Sequence, residues 1–226
     1  MFIDWKQAYS RQCHSLGVKS FIENGVRPSI IPLLISYFQD RVMRVKWHGK
    51  MSKTRKLPGC GAMGTSLGNW EFLSQTKNNA DCVPIEDRFK FVDDLSTLEV
   101  INLLIRNQVP SDIPEHGQFI AAENLKSQTY LNEINEWSKN KKMIISEKKT
   151  KAMVFNFTEN FNFSTRLEVN GSNIEFVDQM KILGTIINTR LSWDQNCNAI
   201  ISKVNARMQL IRELQSFGAT KARKKW

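Results

Sequence analysis

Apolar and polar positions alternate with two different periods along this chain, and the periods predict its elements. In RVMRVKW, Met43, Val45 and Trp47 alternate with Arg44 and Lys46, a period of two that predicts a strand, with His48 to Ser52 as the turn behind it. MFID at the start reads as the end of another strand, and Arg88 to Val92 as a third that stops at two aspartates. Leu95 to Leu104 is apolar enough to continue as a strand or to open a helix. Helical spacing predicts a helix over Ser29 to Gln39, with Pro32 in its first turn, and a second over Leu125 to Lys139, with Leu131, Ile134 and Trp137 or Ser138 on one face. Between these lie a glycine-dense loop from Gly59 to Gly68 and a polar connector from Gln108 to Gly117. Met143 to Ile145 and Ala152 to Phe157 read as strands around a basic turn, and a strand pair surrounds Gly184. From Trp193 to Leu214 apolar residues recur every three or four positions, an amphipathic helix that stops near Gly218. Strands and hairpins interleaved with helices predict an α+β fold, an antiparallel sheet packed by helices on one side.

Composition changes this picture in one respect. In 226 residues, 32 Lys and Arg stand against 22 Asp and Glu, a net charge of +10 that favours a polyanionic partner, foremost nucleic acid. Cys13, Cys60, Cys82 and Cys197 form no C-x-x-C pair, and with three histidines no structural zinc is expected. The sequons at Asn156, Asn162 and Asn170 follow no signal peptide and are read as unglycosylated. IIPLLISYF is too short to cross a bilayer, so no membrane partner is expected and the expected location is nuclear or cytoplasmic.

Candidate chemistry sits at the ends of two strands. Asp93 and Asp94 are adjacent like charges, costly unless solvent or a cation relieves them; a solvated turn is the plain reading. Asp4 also ends an apolar strand, and two such strands side by side would bring Asp4 and Asp93 to a shared pair of divalent ions. Gly59, Gly61 and Gly64 spell G-x-G-x-x-G, but the charged MSKTRKLP before them is no buried strand, and no lysine follows Gly64 to make a P-loop. Arg41, Arg44, Lys46, Lys50, Lys53, Arg55 and Lys56 share a segment with Trp47 and no acid; facing one side they would grip a nucleic-acid backbone, or else form a solvated face.

Five blocks in order carry a family resemblance. MFIDWKQAYS resembles the first catalytic motif of reverse transcriptases, and FVDD resembles their F/Y-x-D-D box. GAMGTSLGNWEF is similar to their P-Q-G-x-x-L-G-P loop, SEKKTKAMVF to their K-T-x-x-M segment, and KILGTIIN with LSW to Y-L-G and L-x-W. The chain is most similar to the reverse transcriptases of non-LTR, LINE-type retrotransposons. The resemblance implies an RNA-directed DNA polymerase acting on an RNA template, a DNA primer and deoxynucleotides. Asp4 and Asp93 would hold two Mg²⁺ ions with Asp94 as a weaker neighbour, and Tyr9 would select deoxynucleotides by excluding a 2′-hydroxyl, or else be a core tyrosine. Met63 and Gly64 would lie against the nucleotide, and Lys149 would protonate the departing pyrophosphate, or else be a surface lysine.

The implied fold is a polymerase palm over 1–190, followed over 191–226 by the start of a helical thumb and a basic tail. Only Met1, Phe2 and Ile3 precede Asp4, so fingers are expected to be missing. Met63 stands where the family has a glutamine, and it cannot supply that amide's hydrogen bonds. The alternative function is a catalytically inactive nucleic-acid-binding remnant of such an element. A basic interaction module unrelated to polymerases leaves the ordered blocks unexplained.

Overall fold

The computed structural model describes residues 1–57, 59–61, 65–101, 125–156 and 165–217. The described residues of Met1–Ala152 and Asn162–Glu175 form one compact unit, and those of Met153–Phe161 and Phe176–Trp226 another. The expected boundary at 190/191 lies inside the second unit.

The first unit is built around a very short strand, β1 (Phe2–Ile3). Helices α1 (His14–Glu23) and α2 (Ile31–Phe38) follow, the latter with Pro32 in its first turn, as the pattern predicts. The basic segment folds into a hairpin of β2 (Val42–Met43), β3 (Lys46–Trp47), β4 (Lys50–Met51) and β5 (Arg55–Lys56). Helix α3 (Ser66–Thr76) begins where the Thr65 hydroxyl accepts the Gly68 N–H at 3.2 Å. Strands β6 (Arg88–Phe91) and β7 (Asp94–Thr97), helix α4 (Lys126–Asn140), β8 (Lys151–Ala152), the hairpin β9 (Glu168–Val169) with β10 (Ser172–Asn173), and β11 (Glu175–Phe176) complete the order. The sheet runs β11-β8-β1-β7-β6, and β1 pairs antiparallel with both β7 and β8. The fold is thus α+β with small antiparallel sheets.

One face of this sheet is the core side. Ile3 lies opposite Leu95, and both are buried in one cluster with Phe72, Leu131, Ile134 and Ile145. Helix α4 buries Leu131, Ile134 and Ser138, the i, i+3, i+7 stripe expected of it. Its first turn is held by Glu99, whose carboxylate accepts the N–H groups of Lys126 at 2.9 Å and Ser127 at 2.8 Å.

Helices α1 and α3, which the apolar pattern does not predict, are joined by polar groups. His14 Nδ1 meets Glu71 Oε1 at 3.1 Å, Gln75 Nε2 donates to the same oxygen at 3.3 Å, and the His14 ring stacks on Phe38 at 4.7 Å. Glu71 is fully buried, and that burial raises its pKa despite the neighbouring histidine.

In the second unit, β12 (Gln179–Ile182) and β13 (Thr185–Asn188) form the expected hairpin, turning on Leu183 and Gly184 with φ +47° and +90°. Asn188 donates to Gln195 Oε1 at 2.7 Å, tying β13 to the long helix α5 (Asp194–Ser216). No described helix is long and apolar enough to cross a membrane.

Candidate active site

Pairing register directs Asp4 and the Asp93–Asp94 pair toward the same end of β1 and β7. Phe2 faces Ser96 and Ile3 faces Leu95, so the same register carried one residue further sets Asp4 opposite Asp94. Opposed residues share a face, so alternation turns Asp4 and Asp94 away from the Ile3–Leu95 core side. Asp93 sits beside them in the two-residue turn between Phe91 and Asp94. Phe91 pairs with Asp94 and Phe89 with Ser96, which places two exposed rings on the same open face. Phe91 is the aromatic of the FVDD block, whereas the sequence pattern did not single out Phe89.

That turn is strained. Val92 has φ +57°, the position where a tight hairpin turn takes glycine, and a β-branched residue there costs about 1–3 kcal/mol. Val92→Gly is therefore expected to stabilise the chain by about 1 kcal/mol, after allowance for glycine's greater freedom when unfolded. A higher urea midpoint at unchanged m-value would register this gain; an unchanged or lower midpoint means that the turn carries no such strain.

Lys149 reaches the site because its strand is interrupted. Trp5 bridges to Ile145 and Phe2 pairs with Lys151, while the five residues between, Ser146 to Thr150, loop out of the ladder. The Ser146 carbonyl accepts the N–H groups of Lys149 at 3.1 Å and Thr150 at 2.8 Å, closing the loop as a turn. Asp4 is gripped through its backbone, its carbonyl accepting from the Ser146 N–H at 2.8 Å and its N–H donating to Thr150 Oγ1 at 3.3 Å. Lys149 Nζ then stands 3.8 Å from Asp4 Oδ1, an ion pair too long for a hydrogen bond. Oδ1 is buried and has no hydrogen-bond partner.

The electrostatics follow from this crowding. Burial raises the Asp4 pKa; Lys149 opposes the rise, and Asp93 and Asp94 add to it. Asp94 is raised by burial and then by Asp93. The Tyr9 hydroxyl is raised by burial and by the charge of Asp93, so the field of Asp93 reaches Tyr9 as well as Asp4.

Tyr9 opens a short 3₁₀ turn, Tyr9–Arg11, and is half-buried. Its ring stacks on the fully buried Phe72 with centroids 4.7 Å apart, and its hydroxyl donates to Asn69 Oδ1 at 3.3 Å. Helix α3 thus holds Tyr9 from below, through residues that sequence reasoning passed over. Met63 and Gly64 lie outside the described residues. The neighbouring Gly59 serves packing: a Cβ there would stand 2.6 Å from the Gln12 carbonyl oxygen, next to the bond that carbonyl accepts from Cys60 N–H at 3.0 Å. The dinucleotide reading of these glycines gains nothing from the helix α3 behind them, because β5 in front is exposed.

The basic segment differs from expectation in two ways. Its turn is only His48 and Gly49, with φ +44° and +77°, so Lys50 and Met51 belong to the returning strand. Its cations do not share one side either. Lys56 pairs with Val42 and Arg55 with Met43 on opposite faces of one ladder, and Lys46 pairs with Met51 and Lys50 with Trp47 on opposite faces of the next. At the root, Arg41 lies 4.7 Å over the Tyr37 ring and Lys56 is 3.9 Å from Asp40.

The chain matches no protein-family model, and no curated protein is similar to it at a significant level.

Among the described residues, no group of three or more His, Cys, Asp or Glu side chains is assembled as a ready metal site. Asp4 and the Asp93–Asp94 pair nevertheless fit a divalent ion in kind. Their donors are hard carboxylate oxygens, Oδ1 of Asp4 lacks a partner, and the mutual repulsion of the acids is what a cation relieves.

Proposed function

We propose that this chain is the palm and first thumb helix of an RNA-directed DNA polymerase of the non-LTR retrotransposon type. The observation that carries the reading is the antiparallel pairing of β1 with β7, whose register runs on toward Asp4 and Asp94, with Asp93 on the strained turn between β6 and β7. Asp4 and Asp93 would hold two Mg²⁺ ions, which when bound supply charge for the primer hydroxyl and the triphosphate. The residues themselves supply position. Tyr9, backed by Phe72, would present its ring edge to the sugar of the incoming deoxynucleotide. Lys149, largely exposed and already beside Asp4, would carry a proton to the leaving pyrophosphate. Phe89 and Phe91 would offer apolar surface to the primer strand beside the acids. An RNA template and a DNA primer would be the partners of the acidic site, and the protein would work in the nucleus or cytoplasm.

A second reading, nucleic-acid binding without catalysis, is favoured by one observation: Lys149 already supplies Asp4 with a cation. Extension of a DNA primer on an RNA template separates the two. The polymerase reading expects deoxynucleotide incorporation with Mg²⁺, lost on chelation and lost in Asp93→Asn. Salt-sensitive binding with no incorporation under any condition establishes the second.

A further inference from the structure

The hairpin from Arg41 to Lys56 is exposed on both faces; every residue from Val42 to Lys56 is open to solvent. It holds seven cations and no acid, and its apolar side chains are not buried: Val42, Met43, Val45 and Met51 are about half exposed and Trp47 is 73% exposed. A two-stranded ribbon gains little stability alone, so a ribbon of this composition calls for a partner. Lys46, Lys50, Lys53 and Arg55 make no ion pair among the described residues.

We infer that this ribbon enters the major groove of B-form duplex DNA, with Trp47 leading. The distribution of charge selects the partner. A single strand has one phosphate backbone, matched by cations on one face with aromatic rings on the other; here cations stand on both faces of each ladder and Trp47 is the sole ring besides His48. A duplex groove has two phosphate walls, one for each face. Two strands about 4.8 Å apart fit a major groove about 12 Å wide, whereas the A-form major groove is too narrow and deep for side chains to read. The tight His48–Gly49 turn keeps the leading end slim, and the register shift between the ladders, where Met43 pairs with Arg55 but Lys46 with Met51, leaves one residue of the returning strand extra. Such a bulge adds right-handed twist to a ribbon that must follow a helical groove. The apolar Val45 and Met51 suit thymine methyl groups.

This inference rests on nucleic acid being the ligand of the hairpin, and not on catalysis. The test uses the full chain with a 20-base-pair DNA duplex, an RNA duplex and a single-stranded RNA of the same sequence, read by fluorescence anisotropy across salt. DNA duplex is expected to bind tightest. Replacing Lys46, Lys50 and Lys53 by Gln should weaken it at least about tenfold at 150 mM salt and lower the salt slope by about 3. Dimethyl sulfate should find guanine N7, a major-groove atom, protected by the unaltered chain, a readout that needs no variant. Equal or tighter binding of either RNA, an unchanged salt slope, or unprotected N7 overturns the inference. Primer extension is scored separately: a chain that protects N7 but never extends refutes the polymerase reading alone.

Discussion

On the proposed polymerase reading, Asp4→Asn is expected to abolish primer extension, by on the order of 10³-fold or more, while making the metal-free chain slightly more stable. The loss follows from removing one charge of a preorganised site whose geometry the backbone fixes independently of the side chain. Ser146 and Thr150 hold Asp4 through its main-chain groups, so the substitution leaves the strand in place. The gain follows from the sign of the pKa shift. With its folded pKa above 3.8, Asp4 binds a proton more tightly in the folded than in the unfolded chain, so its contribution to stability falls as pH rises from 3.8 through the folded value. Above the folded pKa the cost is fully present, and the neutral amide removes it. Lys149 is lost as a partner, but that pair is long and its lysine is largely exposed, and burial is the larger influence. Because the carboxylate is partly exposed, the gain stays below about 1 kcal/mol, a rise in Tm of no more than about 2–4 °C. Mg²⁺ should reverse the order. At a hundredfold excess over its dissociation constant the metal stabilises the unaltered chain by about 2.7 kcal/mol, and Asp4→Asn forfeits most of that. Differential scanning calorimetry with and without Mg²⁺ reads both signs; a metal-independent Tm in the unaltered chain excludes Asp4 as a ligand.

Elements with an apolar stripe were legible before any coordinates. Helix α4 shows Leu131 and Ile134, α5 repeats apolar residues every three or four positions, and β6–β7 and β12–β13 are bounded by turn residues. Helices α1 and α3 were not legible, and the reason is physical. The face α1 buries is His14, Gly17, Ser20 and Phe21, and the face α3 buries includes Gly68, Glu71, Gln75 and Thr76. Polar and small residues at an interface, with His14 meeting Glu71 across it, leave no hydrophobic period in either stretch of sequence. The hairpin shows a related failure: alternation revealed strand, but only the register shows that cations occupy both faces. At the acidic site, the residue types were legible and their convergence was expected from the family resemblance, but the strand register behind it was not legible. That Asp4 meets Asp94 depends on β1 pairing with β7, and that Lys149 meets Asp4 depends on a five-residue loop between two bridges to β1 and Trp5. Long-range register of this kind leaves no trace in local periodicity.

Phe72→Ala is expected to destabilise the chain by about 3–5 kcal/mol, the range for deleting a fully buried aromatic ring. Against a total of about 5–15 kcal/mol for an ordinary domain, that is enough to leave a substantial unfolded fraction near 37 °C. Phe72 lies within the main core cluster and also carries the Tyr9 ring, so the same side chain links core packing to the candidate site. A milder change separates those roles. Phe72→Leu keeps most of the volume but removes the flat surface on which Tyr9 stacks, and the hydrogen bond to Asn69 at 3.3 Å is too long to hold the ring by itself. If Tyr9 selects the sugar as proposed, freeing it to tilt should relax exclusion of a 2′-hydroxyl while incorporation of deoxynucleotides persists. The readout is the ratio of kcat/KM for deoxynucleotide over ribonucleotide, measured at a temperature where circular dichroism shows Phe72→Leu folded. An aromatic pair contributes about 0.5–1.5 kcal/mol beyond its area, so a fall in that ratio of about two- to tenfold is the expected size. A purely structural Phe72 predicts equal losses for both nucleotides and an unchanged ratio, which would detach Tyr9 from sugar selection and leave it a core residue of the 3₁₀ turn.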